Sequence, residues 1–287
     1  MSEPDQITVR TSRLTFGALA WGDPEAPLAL LLHGYPDTAW TWRHLGPYLA
    51  DRGWRAVAPF TRGYGPTELA PDDDYSARAL AADAVAIADA LGAGADAVLI
   101  GHDWGAVTVW RVAEVAPDRF ARLVSLAVPP AGAVLRPFGH WSQRRLALRQ
   151  AGLSWYALFN TLPGADRTLD RLVPHLWREW SPGYDAADDL AHLWVSLDTR
   201  ARRQAALLYY RANFVRGAKA MFLGRPVAPV LHLHGRHDGC VQAELVAHAP
   251  DLFPAGSRTE VLEDCGHFLQ LERPDAVNER IGAWLAS

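Results

Sequence analysis

Short apolar runs punctuate the chain: LALLLHG (28–34), RAVAPF (55–60), AVLIGHD (97–103), RLVSLAV (122–128), VLHLHG (230–235) and RTEVLED (258–264). Most are continuously apolar, as suits strands of a parallel sheet buried on both faces. Between them, YSARALAADAVAIADALG (75–92) reads as an Ala-rich helix that stops at Gly92. DAVNERIGAWLAS reads as a closing helix. From about Pro129 to about Pro226 the alternation gives way to helical stretches carrying Trp141, Trp155, Trp177, Trp180 and Trp194. Strand-like runs resume afterwards, so the pattern predicts a core at 1–129 and 227–287 interrupted by a helical insertion at 130–226. The charge run PDDD (71–74) is expected in a solvated loop.

Composition narrows the class. At 287 residues, about half apolar and a fifth charged, the chain is long enough to bury a large core. A net charge of −4, with no Lys/Arg cluster, offers no footprint for nucleic acid or a membrane surface. No run reaches the roughly 18 apolar residues of a transmembrane helix, and the N-terminal segment lacks a leader pattern, so a cytoplasmic protein is expected. Cys240 and Cys265 match no metal spacing and are expected as free thiols.

The chemistry gathers at Gly101-His102-Asp103-Trp104-Gly105, a G-x-S-x-G pattern between a strand and a helix with aspartate in the serine position. A free aspartate is ionised at neutral pH and needs no base before it attacks. A serine attacking saturated carbon would leave an ether that water cannot readily cleave. A carboxylate leaves an ester, which water can hydrolyse at its carboxyl carbon. Asp103 therefore points to displacement at saturated carbon rather than to acyl transfer.

An ester intermediate needs a water-activating base and an acid to orient it. Asp238 in HGRHDGCV and His267 in LEDCGHFLQLERP follow strands in that order. The charge of a tetrahedral intermediate would fall on an oxygen of Asp103, where backbone N–H groups should converge. Tyr35, in the turn His33-Gly34-Tyr35-Pro36, and Trp104 are the candidates. His33 is read as shaping its loop rather than as catalytic.

Together these segments resemble the α/β-hydrolase fold epoxide hydrolases, with the haloalkane dehalogenases as close relatives. H-G-x-P followed by Trp40 and Trp42, G-H-D-W-G, RGYGPTE (62–68), GRHD and EDCGHFLQLERP occur in the expected order over essentially the whole chain. The resemblance implies an α/β fold with a mostly parallel central sheet, helices on both faces and an inserted helical cap. It implies conversion of an epoxide and water to a vicinal diol, with no cofactor and no metal. It also implies two cap tyrosines that protonate the leaving alkoxide: SWYALFNTLPGAD (154–166) places Tyr156, and LLYYRANF (207–214) places Tyr210 rather than its neighbour Tyr209. Trp104, Phe159 and Phe268 are expected against the substrate, and the Tyr35–Pro36 bond is expected cis, as in the family's H-G-x-P turn. Asn160 and Thr161 stand where these relatives commonly carry Phe-Gln, so pocket shape does not carry over.

Two other readings stay open. A haloalkane dehalogenase would share the triad and use the Trp104 indole for halide, but the second donor often found at the position of Tyr35 is absent. A ligand receptor would be marked by a missing triad residue, and none is missing. The expected partner is a small apolar epoxide, aryl epoxides included; a homo-oligomer is compatible with the chain, and its oligomeric state is not readable.

Overall fold

The computed structural model describes residues 3–215 and 226–287. The apolar runs form strands β3 (Leu28–Leu32), β4 (Arg55–Pro59), β5 (Val98–His102), β6 (Arg122–Leu126), β7 (Val230–Gly235) and β8 (Arg258–Leu262). Four of the six, β3, β5, β7 and β8, end just before the residues that carry the chemistry, which therefore fall in the turns beyond the strands. Two further strands, β1 (Asp5–Arg10) and β2 (Thr15–Trp21), precede them. Continuous apolar runs do not reveal this pair, because β1 is a mostly exposed edge strand.

The eight strands make one sheet in the order β1-β2-β4-β3-β5-β6-β7-β8. β2 pairs antiparallel with β1 and β4, and every pairing from β4 onward is parallel. All five residues of β3 and of β5 are buried, as central parallel strands covered on both faces require. Helices α1 (Leu45–Ala50), α2 (Ala77–Ala90) and α3 (Trp104–Val115) lie between the strands, while α10 (Leu269–Glu272) and α11 (Pro274–Leu285) follow β8. α2 packs on α3, and α1 on α11. The side chain of Ser76 caps α2 by accepting from the Ala79 N–H at 3.3 Å. Residues 71–74 are exposed.

Among the described residues, six α-helices fall between β6 and β7: α4 (Ala131–Leu135), α5 (Arg144–Leu153), α6 (Trp155–Phe159), α7 (Leu169–Trp180), α8 (Ala187–Ser196) and α9 (Arg200–Tyr210). A π-helical turn, Arg211–Val215, continues α9. Residues 216–225 of the expected insertion lie outside the described residues. No described helix is long and apolar enough to cross a membrane.

Candidate active site

β5 delivers Asp103 to the start of α3 with φ 52° and ψ −115°, the left-handed region that a non-glycine residue seldom adopts. That conformation is tolerated because the turn is held tightly on both sides. A side chain at Gly105 would overlap the Leu32 carbonyl, so β3 and α3 approach here only through glycine. The result lifts the Asp103 carboxylate off the end of the sheet.

The loops after β7 and β8 bring the other two residues to it. His267 Nδ1 lies 2.9 Å from Asp238 Oδ2, and its Nε2 lies 3.6 Å from Asp103 Oδ2 with no hydrogen-bond partner. Asp238 is fixed in turn by the N–H groups of Cys240 and Val241, which donate to its Oδ1 at 2.7 and 2.9 Å. Burial by itself would lower the His267 pKa. The charge of Asp238, the nearby carboxylate of Asp103 and the hydrogen bond to Asp238 outweigh it and raise the value to about 10.

The Tyr35 N–H donates to Asp103 Oδ1 at 2.7 Å, and Tyr35–Pro36 is cis. Among the described residues the Trp104 N–H makes no hydrogen bond to that carboxylate, although Trp104 opens α3 beside it. His33 does not face the site. Its Nε2 accepts the Thr61 N–H at 3.0 Å, which leaves the ring proton on Nδ1 for the Gly34 carbonyl at 2.9 Å. Burial lowers its pKa to about 4, against a smaller rise from the Gly34 carbonyl, so it remains neutral.

Asp103, Trp104, Tyr156 and Tyr210 line one cavity of about 240 Å³, whose remaining wall includes Val107, Val128, Leu135, Phe138, Phe214 and Val241. The rings of Tyr156 and Tyr210 meet edge to face at 5.8 Å. The Tyr156 hydroxyl lies 3.1 Å from Cys240 Sγ, and the buried Tyr210 hydroxyl has no hydrogen-bond partner. Burial first, then neighbouring groups including Asp103, pushes both phenols well above the ordinary tyrosine value, so both stay protonated.

Phe159 and Phe268 do not line this cavity, contrary to the expectation. Phe268 is stacked flat on Trp177 with ring centroids 3.5 Å apart, and Phe159 leans on Trp155 at the outer side of α6. Phe268 directly follows His267, and a step of one residue turns its side chain away; Phe159 comes three residues after Tyr156, the residue of α6 that lines the cavity. The insertion's tryptophans divide similarly: Trp141 is 80% exposed, whereas Trp177 and Trp180 are buried beneath the site. The Trp177 indole donates to the Pro36 carbonyl at 3.0 Å, and the Trp180 carbonyl accepts the His267 N–H at 2.9 Å. Thus α7 holds both the Tyr35–Pro36 turn and His267, a role that helical periodicity alone does not reveal. Gln150 was also missed; its amide donates to the Cys240 carbonyl at 2.9 Å and its Oε1 accepts the Gln242 N–H at 3.0 Å.

The chain matches a family model for the alpha/beta hydrolase fold over residues 27–274. It is 39% identical to Epoxide hydrolase B of Mycobacterium tuberculosis, with 95% of each chain covered. It is 30% identical to Epoxide hydrolase A of the same organism, with 96% of each covered. The crystal structure of Epoxide Hydrolase A from Mycobacterium thermoresistibile superposes with a TM-score of 0.78 at 28% identity, covering 99% of this chain and 98% of that one.

Proposed function

As a member of the alpha/beta hydrolase family, and of the epoxide hydrolases within it, the chain is a hydrolase that acts on epoxides, and we propose that it does so through an ester on Asp103. One observation carries the mechanism: the carboxylate of Asp103 shares an apolar cavity with two protonated phenols, Tyr156 and Tyr210. A nucleophile and the acids for its leaving group are what ring opening requires.

Asp103 Oδ1 accepts the Tyr35 N–H, which leaves Oδ2 to attack. A bond forms from Oδ2 to an epoxide carbon, the ring C–O bond breaks, and a cap phenol gives its proton to the alkoxide. Esterification removes the Asp103 charge that helped to hold the proton on His267. That proton then restores the phenolate, and neutral His267 can act as a base. It takes a proton from water, and the hydroxide adds to Cγ of Asp103. The negative charge of the tetrahedral intermediate gathers on Oδ1, where the Tyr35 N–H already points, with the Trp104 N–H as the second donor. Collapse breaks the Cγ–Oδ2 bond, and the departing diol oxygen takes the proton of the new carboxyl group. Asp238 orients the ring and stabilises the imidazolium that forms when His267 takes the water proton.

The residues around the cavity support a small apolar epoxide as substrate, with helices α4 to α9 serving as the cap over it. Two buried free thiols fit a reducing cytoplasm. The alternative, a haloalkane dehalogenase, has no use for two phenolic acids, because halide leaves without a proton. The purified protein should convert styrene oxide to its diol and release no bromide from 1-bromobutane. Bromide release without diol formation would reverse the assignment.

A further inference from the structure

Cys240 has no part in the reaction described above, yet it sits inside the site. It is buried, lines the cavity and stands two residues beyond Asp238. Its Sγ, a ring nitrogen of His267 and a carboxylate oxygen of Asp103 all lie within 4.8 Å of one another, and His267 Nε2 lies 3.6 Å from Asp103 Oδ2. Nε2 of His267 is buried without a hydrogen-bond partner, while Asp238 holds the opposite ring nitrogen at 2.9 Å. A carboxylate behind an imidazole is the support that orients histidine ligands in metal sites.

We propose that Asp103, Cys240 and His267 form a binding site for a thiophilic divalent cation, Zn²⁺ or Cd²⁺, which excludes substrate and stops the reaction. Thiolate, imidazole and carboxylate are zinc's own ligand set. Ligand atoms at about 2.0–2.3 Å around a tetrahedral ion stand roughly 3.4–3.7 Å apart, so the triangle must contract by about 1 Å. Rotation of Asp103 and Cys240, both of which line the cavity, supplies that movement towards His267, whose ring is held by Asp238. The fourth position faces the cavity, which provides both the entry path and room for a water.

Charge also favours the ion. Binding releases the Cys240 thiol proton and the proton held at Nε2 of His267 to solvent. Loss of two protons offsets the dication, so the buried site, Asp238 included, keeps the net charge it had before the ion entered. Magnesium and calcium, which prefer oxygen ligands in larger number, have no comparable site here. The ion is an inhibitor and not a cofactor, because it occupies the lone pairs of the nucleophile and of the base. Its binding does not depend on which substrate the enzyme takes.

The test uses the full chain titrated with Cd²⁺ while the ultraviolet charge-transfer band of a cadmium–thiolate bond is followed, with calorimetry in two buffers of different ionisation heat. The expected result is one ion per chain, release of close to two protons, and inhibition competitive with the epoxide and reversed by EDTA. Cys240→Ser and Cys240→Ala should both lose the band and weaken binding by at least ~100-fold, and His267→Gln should weaken it by at least ~10-fold. Cys265→Ser, which changes the chain's other thiol, should keep the band. Failure of the wild type to bind Cd²⁺, a band that survives Cys240→Ser, or a band lost only in Cys265→Ser would overturn the proposal.

Discussion

The hydroxyl of Tyr209 donates to the Arg62 carbonyl at 2.8 Å, whereas that of its neighbour Tyr210 has no partner and belongs to a ring that lines the cavity beside Asp103. One step along α9 separates a residue that fastens the insertion to the loop after β4 from one placed to act on substrate.

That difference predicts opposite phenotypes. Tyr156→Phe and Tyr210→Phe should each slow epoxide opening by roughly 10- to 100-fold, and the double variant by at least ~10³-fold, with the fold retained. Tyr209→Phe should leave the opening rate near wild type and lower stability by about 1–2 kcal/mol, because the Arg62 carbonyl loses its buried donor. Single-turnover rates and urea unfolding of the four variants separate the two effects. Loss of ring opening in Tyr209→Phe, with full activity in Tyr210→Phe, would exchange their roles.

A second prediction concerns Gly34. A β-carbon there would overlap the Asp103 side chain, whereas one at Gly105 would overlap the Leu32 backbone carbonyl. At Gly34 the carboxylate can rotate away and the Asp103 β-carbon must shift with its turn, whereas at Gly105 the strand backbone itself is in the way. Gly34→Ala should therefore displace the nucleophile from the Tyr35 N–H and cost at least ~100-fold in kcat/KM while the protein remains folded. Gly105→Ala should be recovered in poor yield or with a strongly lowered Tm. Activity measured beside circular dichroism would distinguish the two outcomes, and an active Gly34→Ala would show that the carboxylate does not need its present position.

Much of this arrangement was legible from the chain because strand ends and turn motifs are local signals. The elbow at Asp103, the turn at Tyr35 and the loops of Asp238 and His267 each announce themselves within about ten residues. What was not legible depends on packing between distant segments. Trp177 and Trp180 are part of an amphipathic helix whose apolar face could have met any surface; only the fold sets it under Pro36 and His267. Phe268 directly follows His267, yet it stacks on Trp177 and so turns away from the cavity. The edge strand β1 is not legible for a different reason, since an exposed strand has little apolar pattern to display.

Asp37 gives a third prediction. It is buried beyond the cis turn, with its Oδ1 accepting the Thr38 N–H at 2.7 Å and its Oδ2 without a partner. Burial, followed by the charge of Asp189, raises its pKa to about 8; Thr41, Thr38 and Arg43 oppose this only in part. A carboxyl whose folded pKa exceeds its unfolded value binds more protons in the folded state. Its contribution is complete below about pH 4 and is lost as pH rises towards 8. Asp37→Asn removes that loss, so its stability relative to wild type should grow by about 2 kcal/mol or more between pH 4 and pH 8. The buried neutral histidines act in the opposite direction but equally in both proteins, so the comparison isolates Asp37. Parallel urea-unfolding curves at each pH, with a constant difference between the two proteins, would show that Asp37 does not titrate in this range.

The last prediction tests whether Asp103 attacks carbon or only activates water. Its Oδ2, 3.6 Å from His267 Nε2, is available for attack while Oδ1 is held by the Tyr35 N–H. If Oδ2 forms the ester, the oxygen delivered to the diol comes from the protein, and solvent oxygen replaces it in the carboxylate. A single turnover in ¹⁸O-water with excess enzyme should therefore give unlabelled diol and a label on the peptide containing Asp103. His267→Gln removes the water-activating base without removing the nucleophile. Hydrolysis should slow by at least ~10³-fold, far more than alkylation, so the ester should accumulate as a mass increase equal to that of the epoxide. Asp103→Asn should start inactive, because a neutral amide is a poor nucleophile. Direct attack by water makes the opposite set of demands: labelled diol in the first turnover and no adduct in the His267 variant. Intact-protein mass spectrometry and peptide mapping read both quantities from the same samples, so the two mechanisms cannot be confused with slow substrate binding.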